Sequence, residues 1–216
     1  MATRRTTRLT LLAAVMGLTL ATTASAATIC SPTPAACRAT TVAGKALLHL
    51  QRPLECLRNR LLWKWLKGAE TTLTDFGDPV TSDDYAVCIY DGRGLLLEAD
   101  VPSGCPGSLR CWREQRTFFQ YRNKQSEDLV QQYPPDGLRK LVLKAGADGK
   151  ASIVVHGKGC RLFHDGPLAS SDGIETLVSP LTIQLQRSGG AACWGAVYSF
   201  PPALEQSRDR FEDTSD

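Results

Sequence analysis

An all-β fold, an antiparallel β-sandwich of about nine or ten strands in the jelly-roll or immunoglobulin-like manner, is the class this sequence predicts. Three observations predict it. Short apolar runs recur with period two, each run is closed by glycine, proline or aspartate, and helical periodicity is almost absent.

Residues 45–50 read as the opening strand. In residues 61–66, Leu61, Trp63 and Trp65 share one face while Leu62, Lys64 and Leu66 share the other. Residues 85–90 and 95–98 flank Asp91-Gly92-Arg93-Gly94, whose glycines supply the positive φ of a tight reversal, so this pair is a predicted hairpin. Two further strands are expected over 111–115 and 117–121. The single helix expected is 126–132, with Ser126 as its cap and Glu127 and Asp128 at the positive end of its dipole. A second hairpin joins 138–144 to 151–156 through Asp148-Gly149, and a third joins 182–187 to 191–200 through Ser188-Gly189-Gly190. Leu181, Ile183 and Leu185 alternate with Thr182, Gln184 and Gln186, which predicts one buried face and one wetted face.

The ends read differently. Arg4, Arg5 and Arg8 precede an apolar run over 9–20 and the small residues Ala24-Ser25-Ala26, the pattern of a signal peptide over 1–26 cleaved near Ala26. Arg4-Arg5 has no bulky apolar neighbour, so general secretion is expected over twin-arginine export. The product is then secreted or periplasmic. Residues 27–43 read as an irregular lead-in, 44–200 as the sandwich domain and 201–216 as a disordered charged tail, because that tail shows no apolar periodicity.

Charge narrows the partner classes. Loss of Arg4, Arg5 and Arg8 takes three of the 25 Lys+Arg and none of the 22 Asp+Glu, so the formal net charge of +3 falls to zero. Nucleic acid is therefore not an expected partner. No later apolar run approaches the roughly 18 residues of a membrane span.

All eight cysteines follow the signal and are expected to form disulfides: Cys30, Cys37, Cys56, Cys88, Cys105, Cys111, Cys160 and Cys193. Their spacing leaves on the order of 100 pairings open. The local guesses are Cys105 with Cys111 and Cys30 with Cys37; Cys88 with Cys193 would join the sheets, leaving Cys56 and Cys160. No Cys-x-x-Cys spacing supports a metal. Asp75, Asp78, Asp83 and Asp84 crowd one segment and raise the question of calcium, but without Asp-x-Asp-x-Asp-Gly spacing, and beside Gly77 and Pro79, they read as turn residues.

No cofactor is expected. Gly-x-Ser-x-Gly is absent, Asp75-Phe76-Gly77 lacks every other kinase motif, and His49, His156 and His164 lack the spacing of a zinc helix. A carboxylate pair leaves no spacing to read, so a glycosidase-like hydrolase stays as the alternative. Trp63 and Trp65 are expected in the core. Trp112 and Trp194 each follow a cysteine, so one member of each pair is expected to face solvent, and an exposed indole on a flat sheet would suit a carbohydrate-binding module.

The run Leu61-Leu62-Trp63-Lys64-Trp65-Leu66-Lys67-Gly68, then Asp75-Phe76-Gly77-Asp78-Pro79 and Asp84-Tyr85-Ala86-Val87-Cys88-Ile89-Tyr90-Asp91, resembles a group of uncharacterised exported bacterial proteins. Pro135-Asp136-Gly137-Leu138, the stretch from Leu143 to Ala151 around Asp148-Gly149, Gly157-Lys158-Gly159 and Cys193-Trp194 look like the group's remaining signatures, over about residues 44–198. This chain adds Cys160 and a longer insertion before Pro134. The group has no assigned activity, so the resemblance implies a module rather than a reaction. The expectation is a non-enzymatic exported module that supports the cell surface or binds a surface glycan or another envelope component.

Overall fold

The computed structural model describes residues 28–104, 111–123, 136–164, 166–170 and 173–216. Its twelve strands are β1 (Ala46–Gln51), β2 (Arg60–Gly68), β3 (Tyr85–Asp91), β4 (Gly94–Val101), β5 (Trp112–Gln115), β6 (Phe118–Arg122), β7 (Leu138–Lys144), β8 (Ala151–Lys158), β9 (Leu181–Arg187), β10 (Cys193–Tyr198), β11 (Glu205–Gln206) and β12 (Arg210–Thr214). An eight-stranded sheet, β11-β12-β1-β2-β8-β7-β6-β5, packs on a four-stranded sheet, β10-β9-β3-β4. Neighbouring strands are antiparallel throughout both. The chain is thus an all-β sandwich, and the three predicted hairpins are β3-β4, β7-β8 and β9-β10.

Period two decides which side chains enter the interior. Leu48 and Leu50 of β1, Trp63 and Trp65 of β2 and Ile153 and Val155 of β8 face Val87 and Ile89 of β3, Ile183 and Leu185 of β9 and Trp194 and Tyr198 of β10, all fully or nearly fully buried in one cluster. A buried indole N–H needs an acceptor. Each of the four tryptophans has one: Trp63 donates to the Tyr198 hydroxyl at 3.1 Å, Trp65 to the Gly195 carbonyl at 3.1 Å, Trp112 to the Pro102 carbonyl at 2.8 Å and Trp194 to the Thr71 hydroxyl at 3.1 Å. The Trp65 ring also packs against Gly68, where an added Cβ would sit 1.8 Å from it.

Two expectations about the ends are corrected. Residues 201–216 are not a disordered tail, because β12 pairs with β1 from Leu47 to Gln51 and covers what would be an open sheet edge. The hidden signal is alternation: Phe211, Asp213 and Ser215 turn inward while Arg210, Glu212 and Thr214 turn outward. Charge along the segment masks a single apolar anchor.

The other correction concerns the far face of β9. Thr182, Gln184 and Gln186 are buried rather than wetted, because residues 28–40 lie across that face as a strap. Gln184 clamps the strap through both of its amide atoms, accepting from the Ala35 N–H at 3.1 Å and donating to the Ala35 carbonyl at 2.7 Å. Gln186 accepts from the Ser31 N–H, and Glu98 accepts from the N–H groups of Ile29 and Cys30. The lead-in therefore has no regular structure of its own and borrows side-chain amides as hydrogen-bond partners.

Disulfides complete the strap. Cys30 bonds Cys88 of β3, and Cys37 bonds Cys193 of β10. Neither the Cys30–Cys37 guess nor the Cys88–Cys193 guess holds, because Cys88 and Cys193 point to the outer face of the small sheet and meet the strap there. Cys56 does bond Cys160, joining the β1–β2 loop to the end of β8. Cys111 is disulfide-bonded, and no described cysteine is free. Cys105, the helix expected over 126–132 and the signal expected over 1–26 fall outside the described residues. No helix among the described residues is long and apolar enough to cross a membrane.

Candidate functional site

Cross-strand register writes the outer face of the large sheet as rows of neighbours. One row runs Arg210, Gln51, Arg60, Lys158 across β12, β1, β2 and β8. The next runs Glu212, His49, Leu62, His156 and on to Lys140 of β7. Strands lie about 4.8 Å apart and same-face residues about 6.6 Å apart along each strand, so the rows tile a patch about 14 Å wide or more. A groove of about 720 Å³ lies over this patch, and Arg139, carried in the β7 bulge between Leu138 and Lys140, lines it too.

The groove is basic. Arg60, Arg139, Lys158 and Arg210 line it together with His49 and His156, against the single carboxylate of Glu212. Glu212 is committed to the His49 Nδ1 at 2.9 Å, and Arg210 to Glu205 at 3.2 Å on the strand next door. Arg60 and Lys158 are exposed, stand directly opposite one another and have no carboxylate partner among the described residues. Like charges opposed across a ladder destabilise it. His156 is held below its ordinary pKa by desolvation first, then by the charges of Lys140 and Lys64. An anion between Arg60 and Lys158 would relieve their repulsion.

The histidines do not converge on one centre. His49 and His156 share the groove, whereas His164 lines a separate cavity of about 310 Å³ with Glu98, Asp136 and Arg161. Among the described residues no three His, Cys, Asp or Glu side chains group as a metal site.

The four aspartates are occupied by protein donors. Asp75 accepts from Arg38 at 2.9 Å and from Thr72, and the Arg38 hydrogen bond holds its carboxyl well below the usual range. Asp78 accepts from the N–H groups of Val80 and Thr81, and Asp83 pairs with Arg187 at 3.0 Å while accepting from the Asp78 N–H. Asp84 accepts from the Ser103 N–H at 2.6 Å. These are the bonds of turns and loop anchors.

Carboxylates of the kind a hydrolase needs meet beside β4. Burial, then Asp136, Glu98 and Asp84, push Asp100 up to about 7. Yet Asp136 spends an oxygen on the Asp100 N–H at 2.7 Å, Glu98 spends one on the strap, and Asp100 is not on the cavity wall. The two indoles considered for a sugar platform do not supply one: Trp112 and Trp194 are buried, and so are Cys111 and Cys193 beside them. Both members of each pair bury because the loop carrying Pro102 and the strap cover the second face.

Sequence reasoning missed the groove because its cations come from four strands at spacings that mean nothing until the register is known. Arg60 with Lys64, and His156 with Lys158, are the only local signals, alternating outward at period two. No family model matches the chain, and neither a curated protein nor a solved structure is detectably similar to it.

Proposed function

We propose that this is an exported, non-enzymatic binding module of the cell envelope whose ligand is anionic and seats in the groove on the outer face of the large sheet. The observation that carries this reading is the pairing of exposed Arg60 and Lys158 in a groove lined by two more arginines, in a chain whose formal charges sum to zero from residue 27 onward. Sequestered surplus charge on a concave face raises the local concentration of counter-ions and ligands. The disulfides mark a chain matured in an oxidising, extracytoplasmic compartment, and the signal pattern of residues 1–26 supports secretion or periplasmic residence. The likeness to exported bacterial modules points the same way.

Titration of the chain from residue 27 with polyphosphate, an acidic polysaccharide and a neutral glucan tests the reading. Saturable binding to the polyanions is expected, weakening as salt rises and falling about 10-fold in the Arg60→Gln/Lys158→Gln variant. Equal affinity for the neutral glucan, or no loss in the variant, would sink it. A carboxylate-dependent hydrolase would instead cleave the polysaccharide and lose that activity in Asp100→Asn or Asp136→Asn.

A further inference from the structure

The basic groove opens at one end onto the loop between β1 and β2, and that loop holds two leucines in water. Leu54 is 96% exposed and Leu57 is 54% exposed. Gln51 and Arg60, the residues from which the loop departs, are themselves groove residues. We infer that this loop is a membrane-inserting tip, and that the groove's anion is the phosphate headgroup layer of an anionic bilayer. The inference rests on the anionic-ligand reading and names the source of the anion.

Two independent features support it. The first is that the tip is pinned. The disulfide Cys56–Cys160 ties it to β8, the Arg52 N–H donates to the Asp209 carbonyl at 2.7 Å, the Arg52 guanidinium reaches the Ala169 carbonyl, and the Asn59 carbonyl accepts from Gly159 at 3.1 Å. A leucine on a loose loop turns away from water at little cost. On a loop fixed at both ends and in its middle, Leu54 and Leu57 are held exposed, already ordered for an apolar phase.

The second feature is charge around the tip. Arg52, Arg58 and Arg60 lie in or beside the loop; of the carboxylates there, Glu55 is paired to Arg58 at 3.0 Å on the surface and Asp209 adjoins Arg52. Lys158 stands across from Arg60, and Arg139 and Arg210 lie further along the groove. A short apolar tip ringed by cations is complementary to an anionic leaflet: the leucines enter the acyl boundary while the arginines and Lys158 stay at headgroup level. Two leucines alone bind a bilayer weakly, and a few cations alone bind it weakly and reversibly. Together they give stable attachment, as membrane anchoring by paired signals requires.

Co-sedimentation of the chain from residue 27 with vesicles of phosphatidylcholine alone, and with a third of it replaced by phosphatidylglycerol, decides the matter, with polyphosphate binding followed in parallel. Binding is expected only to the phosphatidylglycerol vesicles, falling at least 10-fold in Leu54→Ser/Leu57→Ser and again in Arg60→Gln/Lys158→Gln. The leucine variant should keep its affinity for polyphosphate, which also shows that it is folded. Polyphosphate binding without vesicle binding, or vesicle binding untouched by the leucine changes, overturns the membrane inference and leaves the anionic groove standing. Failure to bind either partner overturns both.

Discussion

Phe211 is the side chain through which a segment of otherwise charged residues reaches the interior; it is fully buried and meets Phe200 edge-on with ring centroids 5.2 Å apart. Truncating it leaves a cavity where β12 meets the core. Phe211→Ala is expected to cost about 3–5 kcal/mol, read as a lower denaturant midpoint at unchanged slope. Asp100 makes the opposite kind of contribution. Burial and three carboxylates raise its folded pKa to about 7 from 3.8. Between those values the folded chain holds a proton that the unfolded chain has released, so the Asp100 contribution is fully present below about pH 4 and is lost as pH rises through about 7. Asp100→Asn should flatten this slope, raising the melting temperature relative to the parent at about pH 8 and leaving it little changed at about pH 4. An unchanged slope would mean that Asp100 titrates normally.

At the scale of the element, the strap over 28–40 and β12 each cover what the sandwich would otherwise leave open. Replacing both Cys30 and Cys88 with serine releases the N-terminal half of the strap, at an expected cost of about 2–4 kcal/mol. Because the strap crosses the small sheet, opposite the groove, limited proteolysis within 28–37 should accelerate while polyphosphate affinity stays unchanged. Loss of the affinity would show that strap and groove are coupled. Ending the chain after Arg208 removes β12, exposes the edge of β1 and strips Arg210 and Glu212 from the groove. That chain is expected to associate on size-exclusion chromatography, since an unpaired edge strand invites pairing with another copy.

Over the whole molecule, the bridges Cys30–Cys88, Cys37–Cys193 and Cys56–Cys160 span sequence separations of 58, 156 and 104 residues; the first two tie the small sheet to the strap and the third joins two loops at one end of the large sheet. Long loops are the ones whose closure removes most entropy from the unfolded chain. Full reduction should therefore lower the melting temperature by roughly 10 °C or more, measured by calorimetry with and without reductant. The charge plan works at the same scale. A formal balance of zero over the residues after Ala26 conceals a basic face on the large sheet and acidic residues gathered at β4 and its neighbours. Net charge bears on solubility, whereas this segregation bears on the partner.

Strand positions and sandwich class were legible in the residues alone because period-two burial is a local property: Leu61, Trp63 and Trp65 declare their face without reference to any other strand. The same locality exposed the three hairpin turns. It failed at β12, where one phenylalanine among charges carries the burial, and at Gln184 and Gln186, whose polarity implied water but whose amides hold the strap. Disulfide partners escaped it as well, since Cys30 and Cys37 are near in sequence yet each faces a different strand. The groove is the clearest case of what tertiary structure alone decides. Arg60, Lys158, Arg139 and Arg210 become one site only when sheet order and register set five strands side by side, because electrostatic neighbourhood follows distance in space rather than along the chain.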